Sequence, residues 1–88
     1  MKRYYIVFIG RVQGVGFRWR LMNIANRYNY TGYCRNLDNG NVECEIQGNS
    51  VDDFLKDCLR MDTYIRIDDY SIKEIPIEED EREFRVLF

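Results

Sequence analysis

The fold class predicted for this chain is an α+β sandwich, one antiparallel sheet with two helices on the same face. Three features lead there. Twice, an extended apolar run is followed by apolar residues at helical spacing. An Asn39-Gly40 pair separates two strand-like stretches, and the chain closes on another alternating run. With 88 residues there is room for one small core and no second, so 1–88 is expected to form a single domain.

Tyr4 to Ile9 is β-branched and aromatic without interruption, the pattern of a strand buried on both faces. Phe17, Leu21, Ile24 and Tyr28 then fall on one stripe of an amphipathic helix, with Arg20, Asn23 and Arg27 on the polar side. Asn29 and Gly32 supply its exit. Thr31 to Leu37 and Asn41 to Gln47 form a hairpin around Asn39-Gly40, a pair suited to a type I′ turn. In the second of these strands Val42, Cys44 and Ile46 alternate with Glu43, Glu45 and Gln47, giving a buried face and a wet one. Ser50 is placed to cap a second helix, with Val51, Phe54, Leu55, Cys58 and Leu59 on its apolar side. Ile65 to Ile77 is extended, with Pro76 near its end. Glu78 to Glu81 is an acidic turn, and Phe84, Val86 and Phe88 alternate in a closing strand. This βαββαβ order with a short final strand is the split βαβ, or ferredoxin-like, arrangement.

Charge is divided unevenly. Residues 1–37 hold seven Lys or Arg and no acid, whereas 38–88 hold six against fifteen Asp or Glu, leaving −2 overall. The first half should therefore attract anions. Histidine is absent and serine occurs only at Ser50 and Ser71, which removes Ser-His, Cys-His and His-metal chemistry from the chain's repertoire. Cys34, Cys44 and Cys58 show no C-x-x-C spacing and read as reduced, buried thiols of a cytoplasmic protein. A two-residue turn would put Cys34 and Cys44 on opposite faces; an odd-length loop would bring them together. Met1-Lys2-Arg3 and the following apolar run imitate a signal peptide, but the run is too short and lacks a cleavage site. No stretch approaches membrane-spanning length.

The most specific segment is Gly10-Arg11-Val12-Gln13-Gly14-Val15-Gly16-Phe17-Arg18. It links a strand to a helix through glycines, which turn successive N–H groups toward one point at low cost. Such a row at a helix N-terminus suits an anion, and Arg18 adds a planar fork for two oxygens. A P-loop is excluded because Phe17-Arg18-Trp19 follows Gly16, and a dinucleotide fingerprint because Trp19 occupies the third glycine position.

This segment resembles, nearly letter for letter, the signature of the acylphosphatase family. Gly32-Tyr33-Cys34-Arg35-Asn36-Leu37-Asp38-Asn39-Gly40-Asn41-Val42-Glu43 resembles the family's second signature, with Cys34 where valine is usual. The likeness is close over the first half and loose after Gly48. Where many members carry Gly-Pro-Pro, this chain has Met61-Asp62-Thr63. The resemblance implies the ferredoxin-like fold and a hydrolase that cleaves acyl phosphates to a carboxylate and inorganic phosphate. It implies a cradle of backbone amides from Gln13, Gly14, Val15, Gly16, Phe17 and Arg18, with Arg18 holding the phosphoryl group and Asn36 the attacking water. No metal or cofactor is expected. The partners implied are a small acyl phosphate and inorganic phosphate as product and inhibitor, with no nucleic acid or membrane, and the protein is expected to be a monomer. The same domain heads larger carbamoyl-transfer maturation proteins; no such extension occurs here, so the chain is expected to act alone. Glu43 and Glu45 read as solubilising residues of an exposed strand face.

The rival reading is a non-catalytic ferredoxin-like module that binds a polyanion or nucleic acid through the cationic half. No RNP1 string is present, and the overall acidity opposes it.

Overall fold

The computed structural model describes residues 1–60 and 62–88. The elements are β1 (Lys2–Arg11), α1 (Phe17–Tyr28), β2 (Thr31–Asn36), β3 (Val42–Gly48), α2 (Val51–Cys58), β4 (Arg66–Ile75) and β5 (Phe84–Leu87). The strands form one sheet in the order β4-β1-β3-β2-β5. β1 runs antiparallel to β3 and β4, and β2 antiparallel to β3. These four strands and two helices are the expected ferredoxin-like α+β arrangement. The fifth strand differs: β5 lies parallel to β2, pairing Cys34 with Val86 and Arg35 with Leu87, so the sheet is mixed.

The helical stripe of α1 buries Phe17, Leu21 and Ile24 against Ile6 and Phe8 of β1, Cys34 of β2, and Val42, Cys44 and Ile46 of β3. Phe8 and Phe17 meet edge to face, ring centroids 5.0 Å apart. α2 adds Val51, Phe54 and Cys58 to the same core. Asn29 ends α1 alone, in the left-handed conformation (φ 60°), while Gly32 lies inside β2. Ser50 makes no side-chain cap; its N–H and carbonyl are both engaged by the Tyr30 hydroxyl (2.9 and 2.7 Å). β4 stops before Pro76, which has no N–H to continue the ladder. Of the Met61-Asp62-Thr63 segment, Met61 lies outside the described residues. Asp62 forms a local turn by accepting the Tyr64 N–H (3.0 Å).

The hairpin does not use a type I′ turn. Leu37 N–H donates to Asn41 (2.8 Å) and Gly40 N–H to Leu37 (3.1 Å), so Asp38, Asn39 and Gly40 form a three-residue loop. Within it only Gly40 has positive φ (95°), as in a turn closed by a glycine bulge. The odd length settles the register: Cys34 pairs directly with Cys44, both buried and free.

The face of the sheet away from the helices is not the wet surface its alternation suggests. Arg3 is 2% exposed and Glu43 5%. The Arg3 guanidinium binds Glu45 (2.9 Å) and, through both terminal nitrogens, Glu81 (2.7 and 3.1 Å). Glu43 accepts from Tyr5 (2.7 Å) and pairs with Arg35 (2.6 Å), while Glu45 accepts from Tyr33 (3.0 Å). Gln47 exchanges two hydrogen bonds with the backbone of Glu78. The acidic segment thus folds over this face and closes a polar layer. Glu43 and Glu45 are members of that layer rather than solubilising residues, because a carboxylate drawn from water is costly unless it is paired and hydrogen-bonded, as both are here. β1 accordingly has its core side at Ile6 and Phe8, with Tyr5 and Val7 half-buried on the polar side.

Candidate active site

The glycine segment is held at both ends by the core. Val12 and Phe17 are each 1% exposed, and the four residues between them bridge the end of β1 to α1. Gly14 and Gly16 have φ of 72° and 81°. A Cβ at either would touch nothing within 4 Å, so it is backbone conformation, not space, that requires glycine there. Gly16 caps α1 without a side chain, and the first turn of the helix has no acidic residue. The helix ladder begins with Arg20 N–H donating to Gly16 (3.1 Å). Among the described residues, no backbone N–H from Gln13 to Trp19 donates to a turn, loop or side-chain acceptor. These orphan donors lie at the positive end of the helix dipole.

Two side chains, Gln13 and Arg18, join the loop and the first turn of α1 to neighbouring segments, and Asn36 stands at the near end of β2. The Gln13 amide donates to the carbonyls of Leu37 (2.7 Å) and Asn41 (2.9 Å), which ties the cradle to the β2–β3 hairpin. Its side chain is therefore structural. Asn36 ends β2 opposite Val42, and its Oδ1 is buried with no hydrogen-bond partner. Arg18 donates from Nη1 to the Leu87 carbonyl (2.9 Å), and its guanidinium lies over the Phe88 ring, 4.8 Å from the centroid. Leu87 is the partner of Arg35, the residue before Asn36, and Gln13 holds Leu37, the residue after it. Arg18, the loop and Asn36 are thus brought to one end of the sheet. Cys34 sits beneath, its thiol donating to the Arg18 carbonyl (3.7 Å), and burial pushes its pKa up to about 12.

Folding changes the meaning of the charge asymmetry. Lys2, Arg3, Arg20, Arg27 and Arg35 all pair with acids from the second half. Among the described residues Arg18 has no carboxylate within ion-pair range. Its two C-terminal partners had no sequence signal: alternation put Phe88 inside the closing strand, whereas it lies beyond β5 and is 94% exposed. No group of three or more Cys, Asp or Glu residues is placed to hold a metal ion among the described residues. No helix is long and apolar enough to cross a membrane.

The acylphosphatase family model matches residues 4–86. An acylphosphatase of Clostridium beijerinckii is 37% identical over 90 residues, covering all of both chains. The crystal structure of acylphosphatase from Bacillus subtilis superposes with a TM-score of 0.93 at 29% identity, again over both full chains. A full-length HypF in its phosphate- and nucleotide-bound form superposes at 0.90 with 26% identity; 99% of this chain matches 12% of that one. Matched along nearly its whole length by that family and by named hydrolases within it, the chain belongs to the acylphosphatase family.

Proposed function

We propose that the protein hydrolyses acyl phosphates by direct attack of a water that Asn36 orients on a phosphoryl group held by Arg18 and the amides of Gln13 to Arg18. The observation that carries this reading is the buried, partnerless Oδ1 of Asn36 at the strand end to which Gln13 ties a loop of unpaired N–H donors. A buried acceptor without a partner calls for a water or substrate donor. A free acceptor and a set of free donors at the same end of the sheet suit one water and one phosphoryl group.

The chemistry needs little more. The leaving group is a carboxylate whose conjugate acid has a pKa of about 4, so it departs without a proton. Phosphoryl transfer requires charge neutralisation on the equatorial oxygens and an in-line nucleophile. Loop amides and one guanidinium supply the first, each contributing a few kcal/mol when water is excluded. The Asn36 carboxamide accepts a hydrogen bond from the water but is no base, so the water's proton passes to a phosphoryl oxygen. Inorganic phosphate, the product, is then a competitive inhibitor. The reading takes 1–88 as one unit acting as a cytoplasmic monomer; three free buried thiols support a reducing compartment. The polyanion-binding alternative loses its footing, because most cations of the first half are paired.

The test is hydrolysis of benzoyl phosphate with EDTA present. Arg18→Ala should raise KM and lower kcat, while Asn36→Ala should remove most turnover and leave phosphate inhibition nearly intact. Folded variants that keep wild-type rates would refute the assignment. Loss of wild-type activity in EDTA would refute the metal-free route.

A further inference from the structure

Arg18 and Arg20 leave α1 toward opposite flanks of the loop. Two residues along a helix turn the side chain by about 200°. Arg18 reaches β5, at the Leu87 carbonyl. Arg20 reaches the C-terminal end of α2, where Nη2 donates to the carbonyls of Asp57 (3.0 Å) and Arg60 (2.7 Å). On that flank the loop borders a groove of about 460 Å³, with Val15, Gly16 and Trp19 on one side and Arg60 and Asp62 on the other. Nη1 of Arg20 has the Asp62 carboxylate at 3.9 Å, beyond hydrogen-bond range. Asp57 is already engaged by Tyr28 (2.7 Å), Arg27 (3.5 Å) and Arg60 (3.6 Å), so the groove keeps an excess of positive charge.

We propose that this groove receives the acyl group, and that Arg20 selects substrates whose acyl chain ends in a second anion, a carboxylate or a phosphate ester. The inference rests on the acylphosphatase reading above. In-line displacement puts nucleophile and leaving group on opposite sides of phosphorus. Asn36 places the water on the β2 and β5 flank, so the carboxylate departs toward α2. The water oxygen forms a bond to phosphorus, the bond from phosphorus to the acyl oxygen breaks, and its electron pair leaves with the carboxylate. Arg20 is one turn beyond Gly16, about 6 Å along the axis. A four-carbon chain from the scissile phosphoryl group bridges a gap of that order. The exposed Trp19 ring forms the rim along which the chain would lie.

The test compares kcat/KM for the mono-acyl phosphate of butanedioic acid, for an acyl phosphate with a terminal phosphate ester, and for butanoyl phosphate, which lacks the second charge. Wild type is expected to favour the charged substrates about tenfold, the discrimination typical of one charge-assisted hydrogen bond. The ranking of the two identifies the preferred terminal group. Arg20→Met should bring the ratio to about one. Asp62→Asn alters an exposed side chain, leaves the α2 contacts of Arg20 in place, and should raise the ratio. A wild-type ratio of one, or a ratio that Asp62→Asn leaves unmoved, overturns the proposal while the hydrolase reading stands. No turnover of any of the three overturns both.

Discussion

The Arg18 guanidinium is held between the Leu87 carbonyl, 2.9 Å away, and the Phe88 ring, whose centroid is 4.8 Å from it. The arginine proposed to hold phosphate therefore takes its orientation from the opposite end of the chain. An exposed cation–π contact contributes about 0.5–1 kcal/mol, so Phe88→Ala should raise KM for an acyl phosphate about two- to fivefold. The expected change in kcat is smaller. Steady-state kinetics at low and high salt check this, and Phe88→Trp should restore the wild-type KM.

Gly16 holds φ at 81° with free space around it. An L side chain there costs about 1–2 kcal/mol of backbone strain and no clash. Stability should fall in the order Gly16, Gly16→Asn, Gly16→Ala, because asparagine tolerates this conformation best among ordinary residues. The inhibition constant for inorganic phosphate should weaken in the same order. Urea denaturation and phosphate inhibition measure the two.

Gln13 braces the cradle against the hairpin through two carbonyls. Gln13→Leu removes both bonds and should cost about 1–2 kcal/mol. Gln13→Glu should be worse at neutral pH, since it aims a carboxylate at two carbonyl oxygens. Thermal midpoints rank the three proteins. A Gln13→Glu protein as stable as wild type would count against the brace.

Alkaline pH should loosen the fold. Burial pushes the Cys34 thiol up to about 12 and also raises Cys44 and Cys58 above the ordinary value of 9.0. A folded pKa above the unfolded one means stability is complete below about pH 9 and declines as pH climbs toward the folded value. Each such thiol contributes a slope of about 1.4 kcal/mol per pH unit in that window. Urea midpoints between pH 8 and 11 should therefore fall, and Cys34→Val should make the decline shallower.

Local pattern made much of this legible. Phe17, Leu21 and Ile24 announce the helix and its buried face, and two glycines before Phe17 announce the cradle, since both signals depend on near neighbours. Contacts between distant segments were hidden. Glu43 and Glu45 alternate like solvated residues, yet Arg35 and Arg3 neutralise them and Tyr5 donates a hydrogen bond to Glu43 once β1 and β2 flank β3. The pairing of Cys34 with Cys44 hung on a single loop residue. The position of Phe88 over Arg18 depends on β5 running parallel to β2, and no sequence period records strand direction.

β1 lies in the interior of the sheet, with β3 on one side and β4 on the other, pairing Phe8 with Val42 and Arg3 with Ile75. The strand that launches the cradle thus waits for partners synthesised long after it. Contacts so remote along the chain make for slow, all-or-none folding. The contacts of Arg18 with Leu87 and Phe88 exist only once the last strand has joined β2.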